Sequence, residues 1–245
     1  MSEFEDRIRK WLQEQGYPLE LQVAEILRTV ATGWSHWRSY IDPNTDKERE
    51  IDIMGYFDDE PLSVHLVFEC KHSGDKPWIL FSTDQTYTDP QSLLRAVPAT
   101  IEARKMLRRG FTRIIRKSIE LLKPPERLGF NLVKAYSGNQ DAAFHAVYGV
   151  TNAAIGSARL EDEDLATGST AFIPVTVVDA PLFQCYLPQG SEDLVIERIE
   201  HGLLIRHLVD GESVLMHIVT VKELPNFLDS IKTDIRKINS VLSGL

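Results

Sequence analysis

The stretch REIDIMGYFDDEPLSVHLVFECKHS (residues 49–73) decides how this chain is read. Two apolar runs flank the turn-forming segment DDEP, so the pattern predicts two neighbouring strands, 49–57 and 62–71. Asp52, Glu69 and Lys71 stand inside them among isoleucine, valine, leucine and phenylalanine. Charged side chains within apolar strands are costly unless they pair or hold a metal ion. The stretch therefore predicts either a structural ion cluster or a catalytic site.

Side chains alternate across a strand. Val64, Leu66, Phe68 and Cys70 should share one face of the later strand; His65, Val67, Glu69 and Lys71 should share the other. In the earlier strand Ile51 and Ile53 fall on one face, with Glu50, Asp52 and Met54 opposite. If the two strands pair, Asp52 comes beside Glu69 at a sheet edge. The helix predicted over 18–31 carries Leu19, Val23, Ile26, Leu27 and Val30 at helical spacing. Glu20 lies three residues before Val23 and seven before Leu27, so it belongs to the sheet-facing stripe. Glu25 is turned about 140° from Glu20 and should face solvent.

Two or three convergent carboxylates cannot all stay ionised without a cation. Hard oxygen donors suit Mg²⁺ or Mn²⁺, and the backbone carbonyl of Cys70 can complete such a shell. A lysine beside it can orient water and meet negative charge that develops at phosphorus.

A helix bearing Glu20 (PLELQVAEIL), a strand bearing Asp52 (REIDI) and a strand ending in Glu69-x-Lys71 (FECK) together resemble the PD-(D/E)XK nuclease superfamily, in its Mrr-like or restriction-type branch. The resemblance covers residues 16–81. It implies a restriction-endonuclease-like core, a central mixed β-sheet flanked by helices, and Mg²⁺- or Mn²⁺-dependent hydrolysis of phosphodiester bonds in DNA. It further implies that Asp52, Glu69 and the Cys70 carbonyl ligate metal, that Glu20 assists, and that Lys71 positions the nucleophilic water. Ile51 stands before Asp52 where the family often has proline. No segment after the Glu-x-Lys strand carries the Gln-x-x-x-Tyr motif of the exonuclease branch.

The rest of the chain predicts one mixed α/β (α+β) domain over 1–245, with later core strands at about 170–188 and further strands and a helix over 194–243. TAFIPVTVVDA (170–180) is a near-continuous apolar run, the mark of a strand covered on both faces, and PLFQCYLP (181–188) is expected to pair with it. KPWILFSTDQTYTDPQ (76–91) reads as irregular, followed by helices at 91–109 and 111–122. The last helix should bury Leu228, Ile231, Ile235, Ile238 and Leu242.

Cys70 and Cys185 are the only cysteines, too few for a disulfide framework or a thiolate zinc site, so a reducing cytoplasm is expected. The N-terminal residues do not read as a signal peptide, and no apolar run reaches the roughly 18 residues of a membrane span. The net charge is −9, but residues 95–127 hold ten Lys/Arg against three Glu, a local +7 that leaves −16 elsewhere. Within that window Arg104, Arg108 and Arg109 are candidate contacts to a nucleic-acid backbone, as are His72, Ser73 and Lys76 after the Glu-x-Lys strand. A solvated helix face explains the basic window equally well. Trp78 should anchor the loop that follows Lys71; Gln85 and Tyr87 could line a cleft. The histidines at 36, 145, 201, 207 and 217 are scattered singly. A homodimer is compatible with cutting both strands of a duplex. The competing readings are a catalytically silent nuclease-like module that binds nucleic acid or a protein partner, and a scaffold with a structural ion cluster.

Overall fold

The computed structural model describes residues 3–13, 17–74, 76–84, 89–122, 126–137, 142–164, 168–209 and 211–245. Two helices open the chain, α1 (Glu3–Gln13) and α2 (Tyr17–Val30), followed by β1 (Gly33–Ile41), β2 (Glu48–Phe57), β3 (Ser63–His72) and β4 (Trp78–Ser82). Then come α3 (Pro90–Arg95), α4 (Ile101–Ile114), β5 (Gly129–Lys134), α5 (Ala142–Glu163), β6 (Thr170–Asp179) and β7 (Leu182–Tyr186). Strands β8 (Val195–Ile199), β9 (His201–His207) and β10 (Ser213–Thr220) precede the final helix α6 (Leu224–Leu242). The fold is mixed α+β, with ten strands in one mixed sheet ordered β1-β2-β3-β6-β10-β9-β5-β4-β7-β8.

The centre of that sheet is β6, parallel to both β3 and β10 and buried along almost its whole length, as its apolar run predicts. Helices α2, α3, α4 and α6 cover one face. There Leu27, Ile53, Phe68, Val175, Leu228 and Ile235 belong to a single apolar core. Helix α5 covers the other face over Met54, Val67, Trp78, Phe172 and Ile218. It packs closely because it presents Ala143, Ala146, Ala153 and Ala154 to the sheet, all buried. The last helix buries all five residues of its predicted stripe. Helix α1 behaves differently: Phe4 and Trp11 are 68% and 55% exposed, so much of its apolar stripe is left uncovered among the described residues. No helix among the described residues is long and apolar enough to cross a membrane.

The sheet is pried open in two places. On one side of β3, pairing with β2 runs from Phe57↔Val64 to Ile53↔Phe68 and stops. The next hydrogen-bonded pair in that register would be Ile51 with Cys70. On the far side of β6, pairing with β10 begins only at Val175, while Phe172 N–H donates to the Pro98 carbonyl and Leu215 N–H to the Ala96 carbonyl. Residues 96–99 thus wedge between β6 and β10, with an isolated bridge from Ala99 to Ala171. The wedge explains the proline inside this central strand. Pro174 lies on the same edge as Phe172, beside the wedge and just before the β10 pairing begins at Val175, so its missing N–H falls where the ladder is already interrupted.

Three local expectations are revised. PLFQCYLP does form a strand, β7, but its partners are β4 and β8, not β6. The segment after Lys71 is not irregular throughout, because Trp78–Ser82 forms β4. The helix expected at 91–109 is broken into α3 and α4 by the wedge with Pro98 in it, α4 runs on through Gly110 to Ile114, and the rest of the helix expected at 111–122 is short 3-10 turns. The outer strands β5, β4, β7 and β8 join the rest of the sheet through one parallel bridge, Gly129↔Leu204.

Candidate active site

The first opening lies where β2 and β3 part. Cys70 N–H, which continued pairing would give to the Ile51 carbonyl, donates instead to Asp52 Oδ2 at 2.8 Å. Both groups of a strand residue point to the same side, so the Cys70 carbonyl is directed into the same opening. The cause of the parting is visible in β2. Ile53 joins the core under α2, whereas Ile51 joins the core under α5 with Met54. Residues two apart should share a face, so the chain rolls over at Asp52, and the expected grouping of Ile51 with Ile53 is corrected. Opposite the roll, Trp37 of β1 adopts a left-handed φ of 54° and drops out of the register between His36↔Ile53 and Arg38↔Ile51.

Glu69 and Lys71 share one face of β3, as alternation predicts. Lys71 Nζ donates to Glu69 Oε1, and the two side chains keep 30% and 19% of their surface exposed. The other Glu69 oxygen faces Gly149 of α5; a Cβ built there would lie 3.4 Å from Oε2. Burial, and secondarily the Asp52 charge, push the Glu69 carboxyl up to about 7 despite the ammonium beside it. Burial works against the Lys71 charge, but the Glu69 carboxylate outweighs it and holds Lys71 above its ordinary value. Glu20 reaches the cluster from α2. Its carboxyl is raised by burial and by Asp52, with His36 and Lys71 acting in the opposite direction. Glu25 faces solvent in an ion pair with Arg28, as expected. The Cys70 thiol points into the α2 core, where burial and the three carboxylates raise it well above an ordinary thiol, so it is no nucleophile.

Among the described residues no three His, Cys, Asp or Glu side chains stand together as a ready-made metal cluster. The donor chemistry nevertheless fits a hard divalent cation. Asp52 has one carboxylate oxygen beyond its bond to Cys70, a carbonyl points into the opening, and the ionised form of Glu69, which burial and Asp52 disfavour, would be stabilised by added positive charge.

The other candidates scatter. His72 pairs with Asp179 at 2.9 Å, and Lys76 donates to the Tyr136 carbonyl. Ser73 spends its hydroxyl on the indole N–H of Trp78, which is fully buried and anchors this loop. Gln85 and Tyr87 lie outside the described residues. Arg104, Arg108 and Arg109 sit on α4, at the end of the sheet away from the carboxylates, so the basic window does not flank the first opening. Two neighbours of the site went unread in the sequence. His36 Nδ1 donates to the Asp52 carbonyl at 3.2 Å. Tyr40, held up to about 12 by burial and by Asp42, also feels the Glu69 charge. Pairing β1 with β2 would have brought His36 beside Asp52. The histidines are not all single either: His201 and His217 stack at 12° with their ring nitrogens 2.9 Å apart.

No protein-family model matches the chain, and neither does any curated protein or solved structure compared with it.

Proposed function

We propose that this chain is a metal-dependent nuclease of restriction-endonuclease-like architecture that hydrolyses phosphodiester bonds of DNA in the cytoplasm. The observation that carries the reading is the opening between β2 and β3, where Asp52, Glu69 and Lys71 converge and Glu20 reaches them from α2. Asp52, Glu69 and the Cys70 carbonyl would hold Mg²⁺ or Mn²⁺, with Glu20 as an outer ligand or water acceptor. When bound, the cation supplies a Lewis acid and lowers the proton affinity of a water molecule. Lys71, kept charged by Glu69, orients that water and neutralises charge on the phosphoryl oxygens as the water oxygen bonds to phosphorus and the sugar oxygen leaves. A cluster of charges this costly is poor evidence of stability, which favours a chemical role.

A second reading, a silent module that binds nucleic acid or a protein partner, has its own observation in favour: the Lys71 ammonium already occupies Glu69. One experiment separates the two. Purified protein is incubated with single-stranded, double-stranded and branched DNA and Mn²⁺, beside Lys71→Ala. Cleavage by the wild type alone supports the enzyme. Equal inertness of both proteins, with no rise in melting temperature on adding Mn²⁺, supports the silent module.

A further inference from the structure

The second opening in the sheet, between β6 and β10, leads to a pocket of about 420 Å³, within the ~300–1,000 Å³ that small-molecule sites span. Its walls come from the 96–99 wedge, α3, α4 and the start of β10. On α4 the lining residues Arg104, Leu107, Arg108 and Phe111 follow the i, i+3, i+4, i+7 spacing of one helical stripe. Arg95, in the last turn of α3, supplies a third guanidinium. Arg104 is braced, because its Nε donates to the Ala99 carbonyl at 2.9 Å. Its Nη1 stands 3.9 Å from Glu212, the one carboxylate of the lining among the described residues, at the outer limit of an ion pair. Arg95 and Arg108 form no ion pair among the described residues. Among the described lining residues, three arginines thus stand with one glutamate beside an apolar floor.

Guanidinium groups match phosphate oxygens in planar, two-pronged contacts. A bare anion would leave the half-buried apolar lining of Leu94, Val97 and Phe111 unused, and an extended polyanion would follow an exposed ridge rather than enter a recess. We propose that this pocket binds a nucleotide-sized organic phosphate. Its phosphoryl group lies on Arg95, Arg104 and Arg108, and its planar or apolar body lies against Leu94, Val97 and Phe111. The site is separated from the carboxylates by the length of the parallel strands: Cys70 is level with Val177, and Val64 with Ala171, six residues or about 20 Å apart. The proposal stands whether or not the carboxylates cut DNA.

Calorimetric titration at physiological ionic strength tests it, with adenosine 5′-monophosphate as the probe and pyrophosphate as a head group without a body. The expected result is saturable one-to-one binding of the nucleotide, at least tenfold tighter than pyrophosphate. Arg108→Gln should weaken it at least tenfold, while Arg109→Gln, which removes the same charge from the neighbouring residue outside the pocket lining, should leave it unchanged. Unliganded melting temperatures equal to wild type establish that the variants are folded. Absence of saturable nucleotide binding overturns the proposal, as do equal losses in the two variants. Binding only of DNA oligonucleotides, with affinity that grows with length, would assign the arginines to a nucleic-acid track instead and also overturn it.

Discussion

The two openings in the sheet are alike in construction and opposite in chemistry. Between β2 and β3 the ladder ends because β2 rolls over, and a side chain, Asp52, takes the orphaned N–H. Between β6 and β10 the ladder starts late because residues 96–99 intervene, and main-chain carbonyls take the orphaned N–H groups. The first solution leaves carboxylates at the rim and the second leaves arginines. In this sheet both candidate sites lie where strand pairing is interrupted, and the segments that interrupt it bring different charged side chains to the gap.

The sharpest way to break this comparison is to silence one end and watch the other. Lys71→Ala should reduce Mn²⁺-dependent DNA cleavage by about 10²–10³-fold or more, the range for removing a charge-stabilising group from an active site. Nucleotide binding at the arginine pocket should be unaffected in the same variant. A joint loss would show that the two openings are not independent.

Trp78 tests whether the carboxylate end depends on the loop behind it. Its fully buried ring and its bond to Ser73 hold the segment directly after Lys71. Trp78→Ala should destabilise the fold by about 3–5 kcal/mol in urea unfolding. Between the two ends, Gly156 of α5 approaches the main chain of β1: a Cβ there would lie 2.6 Å from the Ile41 carbonyl oxygen. Backbone cannot yield as a side chain does, so Gly156→Ala should cost about 1–3 kcal/mol in the same assay.

The smallest effect concerns pH and neither opening. Burial lowers His201 to about 4 and His217 well below its ordinary value. The unfolded chain therefore binds these protons first, and stability should fall as pH drops from about 6.5 towards 4. Thermal melts at pH 7.5 and 5 should show this loss. Replacing His217 with phenylalanine should shrink it. An unchanged slope would place the proton uptake elsewhere.

Much of this arrangement was legible in the sequence. The alternation in LSVHLVFECK placed Glu69 with Lys71 and Cys70 opposite, because period-2 patterning is local. The unbroken run of β6 and the stripe of α6 were legible for the same reason. The roll at Asp52 was not, since alternation within REIDI groups Ile51 with Ile53 and nothing local marks the reversal. Nor were the partners of β7, because pairing between distant strands leaves no mark in either one. The arginine pocket was only half visible. A basic window was plain, but which end of the sheet it served depended on the wedge at 96–99, a stretch whose spacing reads as the middle of a helix over 91–109.

The lone bridge between Gly129 and Leu204 has a consequence of its own. Strands β5, β4, β7 and β8 adhere to the remainder chiefly through side chains such as Trp78, Leu80 and Leu132 seated against α5, with hardly any shared ladder. Such a quartet can open as its own cooperative unit. Its amide protons should trade with solvent deuterium well before those of β3 and β6, like a hinged panel on a frame that stays shut.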